Sequence, residues 1–215
     1  CNGLEIIKVE KGNKRYYDEG NCLIENDTKK IIAGCNSSII PNDIKIISSG
    51  AFAGHRDLVK IAIPSSVEKI ERWAFNNCDK LESIIVDKNN AKYYSEGNCL
   101  IEKDTKTLIA KSKNNAIPND IESIADGALL GCHELRSITI PNSVKKIEKG
   151  AFNNSCDNLD SIIVEAIEPP VFYGTYPWAF RNYNTPVYVP KESIDAYKAA
   201  NEWKDLKNIT TIEDK

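Results

Sequence analysis

The sequence repeats itself, and this repetition restricts the chain to folds built from stacked units. Residues 58–80 and 135–158 match at a Leu, at Ile-Pro, at Val-x-x-Ile and at Ala-Phe-Asn-Asn, with Ser155 as one extra residue in the later copy. Residues 40–57 and 117–134 repeat the second half of this unit. A unit of 23 residues is too short to bury an apolar face by itself, so it must pack against its neighbours, as in a solenoid.

A second, longer period lies on top of the first. Residues 16–77 realign with residues 93–154 at a constant offset of 77, and EGNCLIE occurs at both 19–25 and 96–102. We call the 77-residue period the superunit. A short unit within a longer one predicts an array of about six to eight coils, a coil being one turn of the solenoid.

Each superunit also contains a segment that departs from the short unit. Residues 22–33 and 99–110 each consist of two apolar stretches joined by a polar turn, which predicts a hairpin. Two hairpin-type insert coils are therefore expected, near 16–39 and near 93–116.

Composition excludes several classes of protein. A net charge of -3 with 27% charged residues provides no basic surface for nucleic acid. No apolar run approaches the roughly 20 residues that a membrane-spanning helix needs. The sequence shows no signal peptide and contains no Met, so we expect a processed or excised piece of a longer product.

The cysteines mostly follow the repeat. Four of them lie three residues before a repeat Leu, and two others occupy the same place in the superunit. These six are Cys1, Cys78, Cys132, Cys156, Cys22 and Cys99, which leaves Cys35 unmatched. With no Cys-x-x-Cys pair and neither His at ligand spacing, we expect buried free thiols and no metal.

Two alternatives for the cysteines stay open. Cys132 and Cys156 occupy equivalent places in successive coils, which stack about 5 Å apart and so lie within disulfide reach. Cys1 fits the repeat of a longer array that has been cut, but it also fits the acylated first residue of a mature lipoprotein.

The apolar pattern within a unit assigns two faces to each strand. In Leu58-x-x-Ile61-x-Ile63 the named residues point inward and the intervening ones outward, and the following Pro ends the strand. Val67 and Ile70 predict a second short extended segment, followed by a tight helical turn at Ala-Phe. The outward positions form the candidate ligand-binding face, predicted to be one continuous sheet: Ile6, Lys8, Lys60, Ala62, Ser83, Ile85, Ser137, Thr139, Ser161 and Ile163.

The isoleucines on that face favour a protein partner over a phosphate or polyanion. The alternative is that strand propensity alone placed Ile6, Ile85 and Ile163 there.

Aromatic residues offer a different candidate surface, for a glycan. Packing of at least one Tyr of each Tyr-Tyr pair against its own coil is the simpler expectation. The candidate aromatic sites are Tyr16, Tyr17, Tyr93, Tyr94, Tyr173, Tyr176 and Trp178.

The repeat pattern ends at Val164, and the remaining residues predict a cap. Residues 191–203 have the pattern of an amphipathic helix with Ile194, Tyr197 and Ala200 on one face. An open end of a solenoid exposes its core, so an aromatic-rich cap over residues 165–215 is expected.

Nothing in the sequence favours catalysis. His55 and His133 fall in loops where solvated polar residues are expected, and there is no Gly-rich phosphate loop or nucleophilic Ser elbow. The sequence therefore predicts no enzyme, no catalytic residue and no cofactor.

The chain resembles the BspA-like leucine-rich repeat proteins, whose unit follows Cys-x-x-Leu-x-x-Ile-x-Ile-Pro-x-x-Val-x-x-Ile-x-x-x-Ala-Phe. Residues 58–75, 78–97 and 132–152 carry this pattern or a clear part of it, and the closing PVYVPKESIDAYKAANEWKDLKNI looks like a C-terminal segment of such proteins in host-associated anaerobic bacteria. The resemblance implies an α/β repeat, a right-handed leucine-rich repeat solenoid over residues 1–164 with the cap following it.

The resemblance also implies a function. Such proteins are secreted or held at the bacterial cell surface, are not enzymes, and bind host or cell-surface proteins in adhesion. We therefore expect a monomeric extracellular recognition protein, with a glycan-binding module or an architectural spacer of a larger surface protein as alternatives.

Overall fold

A computed structural model of the protein describes residues 3–112, 116–129, 135–152, 159–174 and 183–215. These residues form seventeen strands and one α-helix. In chain order the strands are β1 (Tyr16–Glu19), β2 (Cys22–Glu25), β3 (Lys30–Ala33), β4 (Ile46–Ile47), β5 (Lys60–Ile63), β6 (Lys69–Ile70), β7 (Ser83–Val86), β8 (Tyr93–Glu96), β9 (Cys99–Glu102), β10 (Thr107–Lys111), β11 (Ser123–Ile124), β12 (Ser137–Ile140), β13 (Lys146–Glu148), β14 (Ser161–Val164), β15 (Val171–Tyr173), β16 (Val187–Val189) and β17 (Ile209–Thr211).

The chain winds into a solenoid of about six turns with two strand-bearing faces. On the first face β5 pairs with β7, and β12, β14, β16 and β17 form a second parallel ladder. On the second face β3, β4 and β6 form one parallel ladder and β10, β11, β13 and β15 another. The predicted solenoid is confirmed, and the first-face ladder continues beyond Val164 into β16 and β17.

The repeat residues account for the shape of a coil. Ile61 and Ile63 are each 1% exposed, and Pro64, which has no N–H to donate, ends the strand. The Ala-Phe segments are tight turns, and the rings of Phe52 and Phe75 stack at 5.5 Å between adjacent coils. Turns thus stand where longer helices are found in an α/β repeat.

Both predicted hairpins are present. β2 pairs antiparallel with β3, and β9 with β10. Each Tyr-Tyr pair adds a third antiparallel strand, β1 or β8, which the sequence did not predict. The third strand of each insert, β3 or β10, then starts a parallel ladder of the second face.

The second insert separates two hydrophobic cores. Leu100 of β9 packs into the N-terminal core, whereas its neighbours Cys99 and Ile101 pack into the C-terminal core. All three are fully buried. The β8–β10 insert is therefore a wall with apolar contacts on both sides.

The C-terminal cap contains less continuous helix than predicted. Instead of one helix over residues 191–203, there is a 3-10 turn at Lys191–Ser193, helix α1 at Ile194–Ala199, and a second 3-10 turn at Trp203–Asp205. Ala200 has an extended backbone with ψ of 142°, which ends α1 and lets the chain reverse.

Two aromatic side chains of the cap close the last coil. Tyr197 and Trp203 are fully buried. The Tyr197 hydroxyl donates to the carbonyl oxygen of Ala166 at 2.8 Å, and Trp203 Nε1 donates to that of Pro170 at 2.7 Å. These bonds satisfy two backbone carbonyls in the segment that follows β14.

The cysteines within the described ranges behave as predicted. Cys22, Cys35, Cys78 and Cys99 are buried thiols that form no disulfide with one another. Burial raises the pKa of Cys22 to about 11 and that of Cys78 to about 12, so both thiols stay protonated near neutral pH. The proposed Cys132–Cys156 bridge and Cys1 lie outside the described residues.

Candidate functional site

The first face shows the predicted alternation of buried and outward side chains. In β5 and β7, Lys60 pairs with Ser83 and Ala62 with Ile85 across the ladder. Ile85 is 44% exposed, while the residue before it, Ile84, is 1% exposed. The predicted inward and outward assignment is confirmed for this pair of strands.

The second part of the first face departs from the assignment at one position. Ser137 pairs with Ser161, and Thr139 with Ile163. Ser161 is buried at 8% exposure, and its hydroxyl donates to Ser137 Oγ at 2.9 Å. Ser161 therefore bonds within the ladder and offers little surface to a ligand.

The prediction of one continuous sheet on this face is wrong. β5–β7 and β12–β14–β16–β17 are separate ladders, and Ile6 and Lys8 lie in no strand. In the segment of Ile6 and Lys8, backbone N–H groups bind side chains of the first insert and not a neighbouring strand. Ile7 N donates to Asn21 Oδ1 and Val9 N donates to Asp18 Oδ1, each at 2.8 Å.

The bond from Val9 N also affects the charge at this end. It is the main cause that lowers the pKa of Asp18, followed by the bond from Lys8 Nζ at 3.2 Å. Asp18 is therefore ionised near neutral pH and its charge is balanced by Lys8.

Ile39, which was not predicted to lie on this face, is the most exposed isoleucine in the part of the chain that the structure describes. Ile39 is 74% exposed, and its N–H donates to Gly20 O at 2.8 Å instead of to a neighbouring coil. Its place in the repeat was nevertheless visible, because Ile39, Ala62 and Ile85 succeed one another at intervals of 23 residues. Extending the 23-residue period to the residue just before the incomplete unit at 40–57 would have identified Ile39 as an outward position.

We call four exposed apolar residues of this side the apolar patch: Ala62 and Ile85, which pair across the ladder, and Ile6 and Ile39, which lie outside the strands. Ile6 is 66% exposed and occupies the repeat position of Ser83. One charged residue lies on the same face of β5, because Lys60 is exposed two residues before Ala62. The patch thus combines exposed apolar area with little net charge.

The tyrosine pairs are less available than a glycan platform requires. Tyr93 is 3% exposed, so it is not a surface site. Tyr17 and Tyr94 are half-buried, and each ring faces a lysine, with Lys29 Nζ 4.8 Å from one centroid and Lys106 Nζ 5.0 Å from the other. Tyr16 is half-buried as well. Tyr93 packs against the preceding coil and not against its own, because its hydroxyl accepts from Ile70 N. The expected packing of one Tyr per pair against its own coil is met instead by Tyr17 and Tyr94, which pack against the cores that contain β2 and β9.

Around Tyr94 the charges are paired. The Tyr94 hydroxyl donates to Asp120 Oδ2 at 2.9 Å, and Lys106 Nζ lies 2.8 Å from the same oxygen. The hydrogen bond with Lys106 is the main cause that lowers the pKa of Asp120. Burial, and then Asp120, raise the pKa of Tyr94.

A groove on the second face surrounds Tyr173. It has a volume of about 510 Å³, and Tyr173 is 39% exposed within it. The Tyr173 and Ser123 hydroxyls lie 3.2 Å apart. The other lining residues are Thr105, Thr107, Glu122, Lys145, Lys146 and Val171. Of the remaining candidate aromatics, Tyr176 and Trp178 lie outside the described residues.

His55 does not lie in solvent as the sequence suggested. It is 4% exposed, its Nδ1 finds no hydrogen-bond partner within the described ranges, and burial lowers its pKa. His133 lies outside those ranges. Among the side chains that the structure describes, no group of three or more His, Cys, Asp or Glu could hold a metal ion, and no helix is long and apolar enough to span a membrane.

The repeats match a known family. The sequence profile described as BspA type leucine rich repeat region finds six copies in this chain, over residues 29–98 and 109–184. The chain belongs to the BspA-type leucine-rich repeat family. No curated protein matches it.

Solved structures resemble this BspA-type chain in fold. A leucine-rich repeat protein from Eubacterium ventriosum is 22% identical, with a TM-score of 0.48, over 70% of this chain and 48% of that one. The pneumococcal vaccine antigen PcpA is 17% identical, with a TM-score of 0.42, over 79% and 60%. A leucine rich cell surface protein from Faecalibacterium prausnitzii is 21% identical, with a TM-score of 0.39, over 80% and 52%. The BspA-type chain thus spans about half the length of these proteins.

Proposed function

We propose that this chain is a non-enzymatic recognition module of an extracellular or cell-surface protein, which binds a host or cell-surface protein in adhesion. The observation that supports this most is the apolar patch on the first face. Membership of the BspA-type family is consistent with an exposed sheet face that serves as the binding surface.

The exposure of the patch is what favours a protein partner. Ile39 and Ile6 keep 74% and 66% of their surface in water, which is unfavourable at about 25 cal/mol for each Å² of apolar area. A protein surface of matching shape would remove that area from water. Because the contact would be mainly apolar, binding should survive raised salt.

The test is binding of the purified protein to an immobilised panel of extracellular-matrix proteins at low and raised salt. We expect saturable, salt-resistant binding to at least one protein, and its loss in the double variant Ile39→Glu, Ile85→Glu. Each carboxylate would have to be desolvated in the interface.

The matched control is Ile167→Glu, since Ile167 is 54% exposed but lies outside the first face. Its binding should equal that of the unmodified protein. Equal binding by the double variant, or equal loss in the control, would reject the apolar patch as the binding surface.

We propose glycan binding at the Tyr173 groove as a second candidate. An exposed aromatic ring next to the hydroxyls of Thr105, Thr107 and Ser123 offers stacking and hydrogen bonds to a sugar. A glycan array should then show binding that Tyr173→Phe preserves and Tyr173→Ala removes. An array without signals, together with binding to no protein, would favour the architectural spacer.

A further inference from the structure

We infer that the Tyr173 groove takes an acidic sugar, a hexuronic or a sialic acid, whose carboxylate pairs with Lys146. This inference rests on the second proposed function, because it names the class of glycan for the same groove. The two superunits, compared residue by residue, support it, since the equivalent row of the first superunit has longer side chains and paired charges.

The floor of the groove is a row of side chains on the outer side of the second-face ladder. Thr107 of β10 pairs with Ser123 of β11, Ser123 with Lys146 of β13, and Lys146 with Val171 of β15. All four line the groove. Neighbouring strands are about 4.8 Å apart, so a ligand of the size of a sugar can touch several members of this row.

The equivalent row of the first superunit carries longer side chains. Where the groove has the hydroxyls of Thr107 and Ser123, that row has Lys30 and Ile46, at the offset of 77. Lys30 and Ile46 pair across β3 and β4 as Thr107 and Ser123 do across β10 and β11. The second superunit thus has two short hydroxyl side chains in place of a lysine and an isoleucine, which makes room for a ligand and offers it hydrogen bonds.

The charges of the two rows differ as well. In the first superunit Glu71 Oε1 lies 3.1 Å from Lys30 Nζ and 3.8 Å from Lys69 Nζ, so one carboxylate lies against both lysines. Lys146 is the equivalent of Lys69 and is exposed. Within the described ranges Lys146 forms no ion pair.

The carboxylate that corresponds to Glu71 is bound elsewhere. Glu148 is 6% exposed, and its Oε2 accepts from Asp126 N at 3.2 Å. Arg72 Nη2, from the preceding superunit, lies 2.5 Å from Glu148 Oε1. Because Arg72 and Asp126 N hold this carboxylate, Lys146 lacks the partner that Lys69 has.

A single unpaired positive charge favours a ligand with one negative charge. Lys145 and Glu122, the other charged residues of the lining, are paired with each other at 3.0 Å. A carboxylate on the ligand would give Lys146 the ion pair that Glu71 gives Lys69. A polysulfated chain, by contrast, would need several unpaired cations.

The positions of Tyr173 and Lys146 suit a sugar ring that carries a carboxylate. Val171 pairs with Lys146, and Tyr173 is two residues further along β15, so the Cα atoms of Tyr173 and Lys146 are about 8 Å apart on neighbouring strands. The Tyr173 ring can stack on the apolar face of the sugar while the carboxylate contacts Lys146. A neutral sugar would stack on the same ring and leave Lys146 unpaired.

The test is calorimetric titration of the 215-residue chain with sugars that differ only in charge. The probes are a tetrasaccharide of alternating hexuronic acid and N-acetylhexosamine, a trisaccharide that ends in N-acetylneuraminic acid, and the carboxyl-reduced form of each. We expect one acidic probe to bind roughly tenfold more tightly than its reduced form, and this preference to shrink at raised salt. The acidic probe that binds distinguishes a hexuronic from a sialic acid.

Three variants assign the preference to the groove. In Lys146→Gln, the acidic probe should bind only as tightly as its reduced form does. Lys69→Gln, the same change at the equivalent residue of the first superunit, should leave the preference intact. Tyr173→Ala should abolish binding of both forms.

The outcomes distinguish failure of this inference from failure of glycan binding. Equal affinity for the acidic and reduced forms, lost in Tyr173→Ala, would overturn the inference and support glycan binding. If no probe binds, neutral sugars that bind through Tyr173 on the glycan array would overturn the inference alone, and an array without signals would overturn both. Tighter binding of a sulfated tetrasaccharide than of the unsulfated one, or a preference that persists in Lys146→Gln, would also overturn the inference.

Discussion

His55 is a buried titratable group, and it should make stability depend on pH. Burial lowers its pKa, so the folded protein keeps the imidazole neutral while the unfolded chain binds a proton below the ordinary value of about 6.5. The unfolded state then holds more protons, and stability falls as the pH falls through this range.

We expect the free energy of unfolding to drop between pH 7.5 and pH 5.5 through His55. Urea titrations of the unmodified protein and of His55→Gln at both pH values measure this contribution. His133 is present in both proteins, so the difference isolates His55. Parallel pH dependence in the two would contradict the assignment.

At the residue scale, the sequence predicted side chains that follow a period and missed those that do not. Alternation in β7 placed Ile85 outside correctly. His55 was expected in solvent because its loop is polar, yet it is buried, and its side chain forms a hydrogen bond with the backbone of Gly34, 21 residues earlier in the chain. No local sequence pattern predicts the burial of such a loop residue.

Two neighbouring residues of β7 should differ strongly in how far a glutamate lowers the stability of the protein. Ile84→Glu places a carboxylate in the core and should destabilise the protein by about 4 kcal/mol or more. Ile85→Glu, at a position 44% exposed, should change stability by less than about 0.5 kcal/mol. Chemical denaturation of both variants checks this, and a large loss in Ile85→Glu would reverse the assignment of faces.

Substitutions at two equivalent glycines should distinguish the cost of backbone strain from the cost of a steric clash. Gly20 and Gly97 have φ of 56° and 55°, so an Ala at either one costs about 1–2 kcal/mol for the left-handed conformation. A Cβ on Gly20 would also collide with the Ile39 carbonyl, whereas the nearest atom to a Cβ on Gly97 is Ala116 O at 4.0 Å.

Gly20→Ala should therefore destabilise the protein by at least about 1 kcal/mol more than Gly97→Ala does. Thermal unfolding of the two variants measures the difference. Equal losses would mean that the chain around Ile39 moves aside without cost.

At the element scale, sequence reasoning found the hairpins and missed the strand in front of each. β2 and β3 are apolar stretches joined by a polar turn, which is a recognisable signal. β1 is YYDE, with no alternation of apolar residues, and it forms a strand because β2 supplies bonding partners. The break in the C-terminal helix at Ala200 was likewise invisible, since the apolar spacing continues across it.

The cap should carry much of the stability of the C-terminal core. Trp203 is fully buried and packs against Tyr197 with ring centroids 5.1 Å apart. Trp203→Ala should lower the free energy of unfolding by about 3–5 kcal/mol. Trp203→Phe, which keeps an aromatic ring but loses the bond to Pro170 O, should cost about 1–3 kcal/mol.

Hydrogen exchange locates the effect. We expect the amides of β16 and β17 to lose protection in Trp203→Ala, while those of β5 and β7, beyond the β8–β10 wall, keep theirs. Uniform loss across the chain would contradict two separate cores.

At the scale of the whole molecule, the repeat predicted the solenoid but not the partition of its core. Leu23 and Leu100 lie in the same seven-residue sequence, EGNCLIE, and yet the first is half-buried and the second fully buried. The difference arises because the coil that contains Val67 and Ile70 packs against the second insert and buries Leu100. Identical local sequence cannot encode it, so the division of the core could only be seen in three dimensions.

The ladders also determine how the molecule responds to tension. Successive coils are joined by short parallel strands that run across the solenoid axis, so a pull on the two ends loads the bonds of one coil at a time. Such a molecule yields at low force and lengthens in many small steps, until the β8–β10 wall, held from both sides, resists as a single larger event. Single-molecule stretching should record that event after the smaller ones, so the chain would act as an extensible tether with a built-in stop.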